Sequence, residues 1–269
     1  MSNIEIKDMY FSYTENEPVL NGINLTLDSR TTAIIGQNGA GKTTFVKLLK
    51  GLLKPTHGQI FWDGKDISQM TVAQLAKYIG LVFQNPNDQI FKGKVIDEVM
   101  FGPINIGMSQ EDALDHARKA LSIVGLAGTE DENPYDMGLS DRKMIAIASI
   151  LAMDTDVVIF DEPTIAQDYK AKEKIKQIIR QLKSDGKMVL TIIHDMDFVA
   201  ECFERTIVFA KGNVLLDGPT AEVFAQKEKL TQAYLEPPHV TQLCNRLGYQ
   251  QTFLTVEDFV AYVKGTLKK

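Results

Sequence analysis

The sequence predicts an α/β fold built on a mostly parallel, doubly wound sheet, with a small helical appendage near its C-terminal end. Three observations predict it. Short apolar runs, TTAIIG (31–36), DVVIF (156–160), MVLTIIH (188–194) and RTIVFA (205–210), alternate with stretches of helical spacing, the pattern of strand–helix–strand units. DVVIF has no polar alternation inside it, as a strand covered on both faces requires. A glycine-rich turn, GQNGAGKT (36–43), joins the first of these runs to a helical one.

In chain order, IEIKDMYFSY and INLTLD alternate in the manner of half-buried strands. TTFVKLLKGLL places Phe45, Leu48, Leu49 and Leu52 at helical spacing. HGQIFWDGKDI reads as a hairpin turning at Asp63-Gly64, and YIGLVFQ (78–84) as another strand. Residues 85–138 then carry Asn, Pro, Gly and amphipathic helices. One helix opens at Ser109 with Asp112 three residues on, a capping arrangement, and places Leu114, Ala117, Leu121 and Val124 on one face. This region predicts a helical subdomain over about 86–150. The helix YKAKEKIKQIIRQLKSDG stops at Gly186, and NVLLDG (213–218) adds a strand. After EPP (236–238) come two short helices, VTQLCNRL and TVEDFVAYVKG, the second with Thr255 and Asp258 as its capping pair. The division expected is a main domain over 1–230 and a helical extension over 231–269.

Composition narrows the function classes. Of 269 residues, 44% are apolar and 24% charged, an ordinary globular balance. No apolar run approaches the roughly 18–20 residues that span a bilayer, and MSNIEIKD lacks the features of a signal peptide. The expectation is a cytosolic chain, held at a membrane only by partners. A net charge of −6 disfavours nucleic acid as a ligand, which calls for a basic stripe. Cys202 and Cys244 are too few for a disulfide framework and read as packed thiols. No CxxC and no paired His/Cys cluster suggests a metal site of that kind.

GQNGAGKT fits G-x-x-x-x-G-K-[ST] in the context a phosphate loop requires, after a strand and opening a helix. Gly36, Gly39 and Gly41 let backbone N–H groups curl round phosphates, with Ala40 small enough not to obstruct. Lys42 can reach the β/γ-phosphates, and Thr43 can offer its hydroxyl to Mg²⁺. VVIFDEPT places Asp161 and Glu162 at the carboxyl end of a buried strand, the edge where open α/β sheets bind ligands. Asp161 would hold Mg²⁺, and Glu162 would orient or deprotonate the attacking water. Gln84 and His194 end two other strands and would emerge at the same edge. The absence of an NKxD motif argues against a simple GTPase.

Together, GQNGAGKT, VFQNPNDQ, LS followed by MIAIASILA, VVIFDEPT, Asp168 and His194 resemble an ATP-binding-cassette ATPase over roughly residues 3–225. FQNPNDQIF, then VIDEVMFGPINIGM, and the C-terminal EPPHVTQLCNRLG are similar to the A component of energy-coupling-factor (ECF) transporters, which import cobalt, nickel and vitamins. The resemblance implies a P-loop NTPase cassette: a RecA-like core, an antiparallel β subdomain and a helical subdomain. It implies ATP held by Tyr13 stacked on adenine and by Gly36, Asn38, Gly39, Ala40, Gly41, Lys42, Thr43 and Thr44. It implies Mg²⁺ at Thr43, Gln84 and Asp161, and catalysis by Glu162, His194 and Gln84. Residues Asn87–Lys92, including Asp88 and Gln89, would form a short helix meeting a transmembrane coupling protein. Asp168 would lie at a dimer seam, although TIAQD replaces the usual SALD or AGLD. A separate membrane protein would bind the cargo, and the chain would sit peripherally on the cytoplasmic face of the cell membrane.

One stretch departs from the pattern. Cassettes of this family pair head to tail, each ATP lying between one subunit's phosphate loop and the other's LSGGQ signature turn. Here the turn reads GLSDRK (138–143): about two residues are missing, and both glycines. Ser140 would still face the partner's nucleotide, but Asp141 adds a like charge. At about 6 Å and an effective dielectric near 20, each charge pair repels by roughly 3 kcal/mol, unless Arg142 points inward to offset it. Ser140 with Asp141 in the first turn makes a favourable helix start. The asymmetry favours a second cassette subunit carrying LSGGQ, a heterodimer, over a homodimer. Two rivals are a soluble cassette acting on nucleic acid or ribosomes and a nearly inactive regulatory cassette. The about 98 residues from Lys42 to Ser140 leave no room for the long coiled coil of repair-type members.

Overall fold

In the computed structural model, which describes residues 3–15 and 17–266, the apolar runs pair into two sheets. Strands β1 (Ile4–Ser12) and β2 (Pro18–Leu27) are antiparallel. β3 (Thr32–Gly36) leads through the glycine-rich turn into α1 (Lys42–Leu49). β4 (His57–Trp62) and β5 (Lys65–Asp66) form the hairpin about Asp63-Gly64. α2 (Val72–Leu75) precedes β6 (Ile79–Val82). Three helices follow, α3 (Val95–Asn105), α4 (Gln110–Val124) and α5 (Leu139–Leu151), and pack on one another. β7 (Val157–Asp161), α6 (Tyr169–Ser184), β8 (Met188–Ile192), α7 (Met196–Cys202) and β9 (Arg205–Ala210) complete the alternating half, with β10 (Asn213–Pro219) antiparallel at its edge. The chain then runs through α8 (Thr220–Ala225), α9 (Lys227–Gln232), α10 (His239–Arg246) and α11 (Val256–Thr266).

One sheet has the order β2-β1-β4-β5 and is antiparallel; the other has the order β10-β9-β3-β8-β7-β6, with all but β10 parallel. The parallel strands are buried on both faces because their side chains serve two cores alternately. Val158 and Phe160 of β7, with Ala33 and Ile35 of β3, pack toward the helical side. Val157 and Ile159, with Ile34, pack toward α1 and the antiparallel sheet. A separate aromatic cluster near the C-terminus gathers Val240, Cys244 and Phe253 with Tyr249, Phe259 and Tyr262.

Several local expectations change. α1 stops at Leu49, and Gly51 turns left-handed, so Leu52 lies outside the helix and is exposed. On α4 the buried stripe includes Ala113 and Ala120 beside Ala117, Leu121 and Val124, and Leu114 is only half-buried. Small alanines let α3 and α5 approach closely there. Ser109 does cap α4, accepting a hydrogen bond from the Asp112 N–H. The cap of α5 is Gly138, which has no side chain to contribute, so Ser140 sits inside the first turn rather than capping it. Of Asn87–Lys92, only the start is helical, in a short 3₁₀ turn over Pro86–Asp88 capped by Asn85. Cys202 and Cys244 are both free thiols.

Candidate functional site

The site lies where the parallel strands end. Gly36 closes β3 and pairs with Phe209; Asp161 closes β7 and pairs with Ile192 of β8. The loops leaving these strands therefore open at one edge of the sheet. Gln84 and His194 each lie two residues beyond the strand expected to end in them, on those loops. An open cleft of about 490 Å³ results, lined by Tyr13, Val19, Gln84, Glu162 and the loop from Asn38 to Thr44. That volume is in the range of small-molecule sites.

The loop needs its glycines. Gly36 has φ 153°, and a Cβ there would lie 2.3 Å from the Phe209 carbonyl oxygen. Gly41, at φ 99°, precedes the first residue of α1, and a Cβ would strike Leu20 at 2.6 Å. The N-terminus of α1 opens into the cleft, where its free N–H groups favour an anion. Lys42 is buried, and its Nζ donates to the carbonyls of Gly36 (2.7 Å) and Gln37 (3.0 Å). Burial pushes its pKa down, opposed by Glu162 and Asp161. An incoming phosphate would exchange two carbonyl partners for a charged one, a stronger hydrogen bond.

Across the cleft the acidic pair takes two different environments. Asp161 is buried, and its pKa is raised first by that burial and further by Glu162, while a hydrogen bond from Thr43 and the charges of Lys143 and Lys42 oppose the rise. Its Oδ1 is buried without a partner. A desolvated carboxylate oxygen with nothing to satisfy it, beside a threonine hydroxyl, suits a hard cation. Among the described residues no cluster of three or more His, Cys, Asp or Glu could hold a metal alone. Mg²⁺ does not ask for one, since it takes one or two carboxylates and completes its shell with water and substrate phosphates. Glu162, buried and left-handed at φ 51°, has its Oε1 2.9 Å from His194 Nε2. That conformation is costly for a non-glycine residue and persists because the surroundings fix it: the Glu162 N–H donates to the Ile192 carbonyl at 2.9 Å.

Tyr13, just past β1, is 58% exposed, too open for a core tyrosine. Its ring meets Phe11 edge-on at 4.9 Å, and its hydroxyl is 3.3 Å from Thr44 Oγ1. One ring face is thus fixed and available for stacking.

Ser140 is not brought to this cleft. It lines a separate groove with Asp141, Asp168, Lys170 and Lys174, and its Oγ donates to Gln167 Oε1 at 2.7 Å. Asp168 caps α6, accepting from the Ala171 N–H at 2.8 Å. Arg142 does not offset Asp141 at the turn; its Nη1 donates to Asn87 Oδ1 at 2.8 Å.

Sequence reasoning missed Val19 and Lys143 here and expected Gln89 to point elsewhere. Val19 lines the cleft from β2. Lys143, 2% exposed, donates from Nζ to the carbonyls of Phe83 (3.1 Å) and Gln84, and burial pushes its pKa down to about 8. Gln89, expected to face a partner, turns inward: it accepts from the Phe83 N–H and donates to the Ala146 carbonyl (2.8 Å) and Ser149 Oγ (3.0 Å). Only the RK dipeptide inside GLSDRK hinted at the Lys143 contact, and nothing local indicated which way it would point.

A family profile described as ABC transporter matches residues 20–165. A putative ABC transporter ATP-binding protein of Pyrococcus furiosus is 39% identical over 91% of this chain and 94% of its own length. The energy-coupling factor transporter ATP-binding protein EcfA of Methanothermobacter thermautotrophicus is 35% identical over 95% of this chain and 84% of its own. Other relatives are longer, and the chain spans 46% and 44% of two of them. Among solved structures, CbiO1 of Clostridium perfringens, part of the ABC transporter complex CbiONQ, superposes with a TM-score of 0.76 at 30% identity, over 90% of this chain and 98% of that one.

Proposed function

The chain belongs to the ABC transporter family as an ATP-hydrolysing cassette of the ECF A-component kind, and from that premise we propose that it powers an ECF-type importer of a vitamin or metal ion. The observation that carries the site assignment is the one cleft lined by the Lys42 loop, Thr43, Gln84 and Glu162, with Asp161 beside Thr43 and His194 2.9 Å from Glu162 just behind that lining. In this reading the phosphate loop holds the β- and γ-phosphates, and Tyr13 stacks on the base. Thr43, Gln84 and Asp161 would hold Mg²⁺, and the ion would supply positive charge to offset that developing on the phosphoryl oxygens. Glu162 orients or deprotonates the attacking water, and His194, its Nε2 2.9 Å from Glu162 Oε1, reaches the γ-phosphate.

A second cassette carrying an intact signature turn completes the pair, giving one competent and one weakened site. The transmembrane coupling protein docks by the loop Asn87–Lys92. Two features favour that place. The backbone N–H groups of Phe91 and Lys92 are both held by buried Glu98. A mainly apolar groove of about 270 Å³ opens beside the exposed, edge-to-face rings of Phe91 and Phe101. No helix among the described residues is long and apolar enough to cross a membrane, which fits a peripheral subunit at the cytoplasmic face, with the cargo bound by a separate membrane protein. In this reading residues 1–230 are the cassette and 231–269 an extension.

The test is Glu162→Gln in the complex co-purified from membranes with the tagged chain. Turnover is expected to fall by at least about 100-fold while ATP is retained. Loss of ATP binding together with turnover would contradict the role given to Glu162, and recovery of the chain free of membrane proteins would contradict the transport reading.

A further inference from the structure

The two stretches in which the sequence leaves the family pattern, GLSDRK and TIAQD, are distant in sequence, yet the fold puts them in contact. We propose that Gln167 withholds the Ser140 hydroxyl from a partner cassette's nucleotide and so sets how tightly that composite site binds ATP. The inference rests on the reading of the chain as one half of a head-to-tail cassette pair.

Gln167 is not a free arm. Its N–H donates to the Thr164 carbonyl at 3.3 Å. Ala166 before it is left-handed at φ 58°, and Asp168 after it is locked as the cap of α6. The side chain leaves this fixed backbone and meets Ser140 Oγ at 2.7 Å, the usual separation of an O–H···O bond. Its Nε2 is buried without a partner, so the amide is held through its oxygen alone.

A serine hydroxyl has one proton to give. Spent on Gln167, it leaves only lone pairs to face an incoming γ-phosphate, next to the carboxylate of exposed Asp141. The turn then presents acceptors and negative charge where a clamp needs donors. The leucine that the SALD pattern has at position 167 offers no acceptor, and a serine beside it keeps its proton. The altered signature turn and the altered neighbouring loop thus act together, as one weakened clamp.

The test is Mg²⁺–ATP hydrolysis by the membrane-purified complex, with KM and kcat measured for the natural chain, Gln167→Leu, Gln167→Glu, and Gln167→Leu combined with Ser140→Ala. Gln167→Leu is expected to lower KM by about three- to tenfold, the worth of one recovered hydrogen bond, with kcat changed less. Gln167→Glu, a stronger acceptor for the same proton, is expected to raise KM, a reversal of sign that simple loosening of the loop would not give. Adding Ser140→Ala is expected to remove the gain from Gln167→Leu. A KM unchanged or raised by Gln167→Leu, or a gain that survives Ser140→Ala, would overturn the proposal. A natural complex that retains no ATP would instead overturn the cassette reading of the site, and this inference with it.

Discussion

Gly36 shows how much one position can demand. Its φ of 153° and the Phe209 carbonyl 2.3 Å from where a Cβ would stand leave room only for hydrogen, and a backbone carbonyl paired in the sheet cannot step aside. Gly36→Ala is therefore expected to cost roughly 2–4 kcal/mol, read by urea denaturation, and to weaken ATP binding by displacing the loop. The glycine-rich loop proposed to hold phosphate was legible in sequence because a strand, a run of glycines and a lysine at fixed spacing determine their own geometry. Asp161 and Glu162 were legible for a similar reason, since a buried strand must end in a loop at the ligand edge. The contacts of Ser140, Lys143 and Gln167 were not, because the partner of each lies on a different segment: Gln167, Phe83 and Gln84, and Ser140 in turn.

Elements are joined here by a few buried polar contacts rather than by their apolar faces alone. The loop after β6 is fastened to α5 by Arg142, Lys143 and Gln89, so the first turns of that helix carry the segment proposed to meet the membrane partner. The two sheets are joined by Arg205, 4% exposed. Its guanidinium grips Asp217 of β10 in a fork, 2.7 Å from Nε and 2.6 Å from Nη2, and donates from Nη1 to the Thr26 carbonyl of β2 at 2.7 Å. Lysine keeps the charge and cannot reproduce the three-way geometry. Arg205→Lys is expected to lose about 2–4 kcal/mol, measured by chemical denaturation, with Asp217→Asn costing less because Arg205 retains its bond to Thr26. Strand and helix existence was largely readable from periodicity. Helix ends were less so: α1 stops before Leu52 and α5 is capped by Gly138, because backbone turns beyond the periodic stretch decide where a helix closes.

Across the whole molecule, the C-terminal segment meets the cassette where the N-terminus of α10 reaches α7. The His239 N–H donates to Asp197 Oδ1 at 2.9 Å, and Nδ1 bonds the other oxygen. The hydrogen bond to Asp197 and its charge raise the pKa of His239 above the usual imidazole value. A raised folded-state pKa means that the contact is at full strength below the ordinary value and is lost as pH rises through the raised one. Protection of the α10 amides, relative to their intrinsic exchange rates, is therefore expected to fall as pH rises above the ordinary imidazole value, and His239→Ala to remove that dependence without changing protection in β7 or β8. The order of motifs and the alternation of strand and helix already determined the α/β cassette, the phosphate loop and the acidic pair, because each is encoded within a short stretch whose backbone geometry follows from its own residues. What only the tertiary structure decided was the pairing of segments far apart in sequence: Ser140 with Gln167, Lys143 with the Gln84 backbone, Arg205 across two sheets, His239 with Asp197. Side-chain direction at such places is set by which surfaces the packed core brings face to face, and no local pattern carries that information.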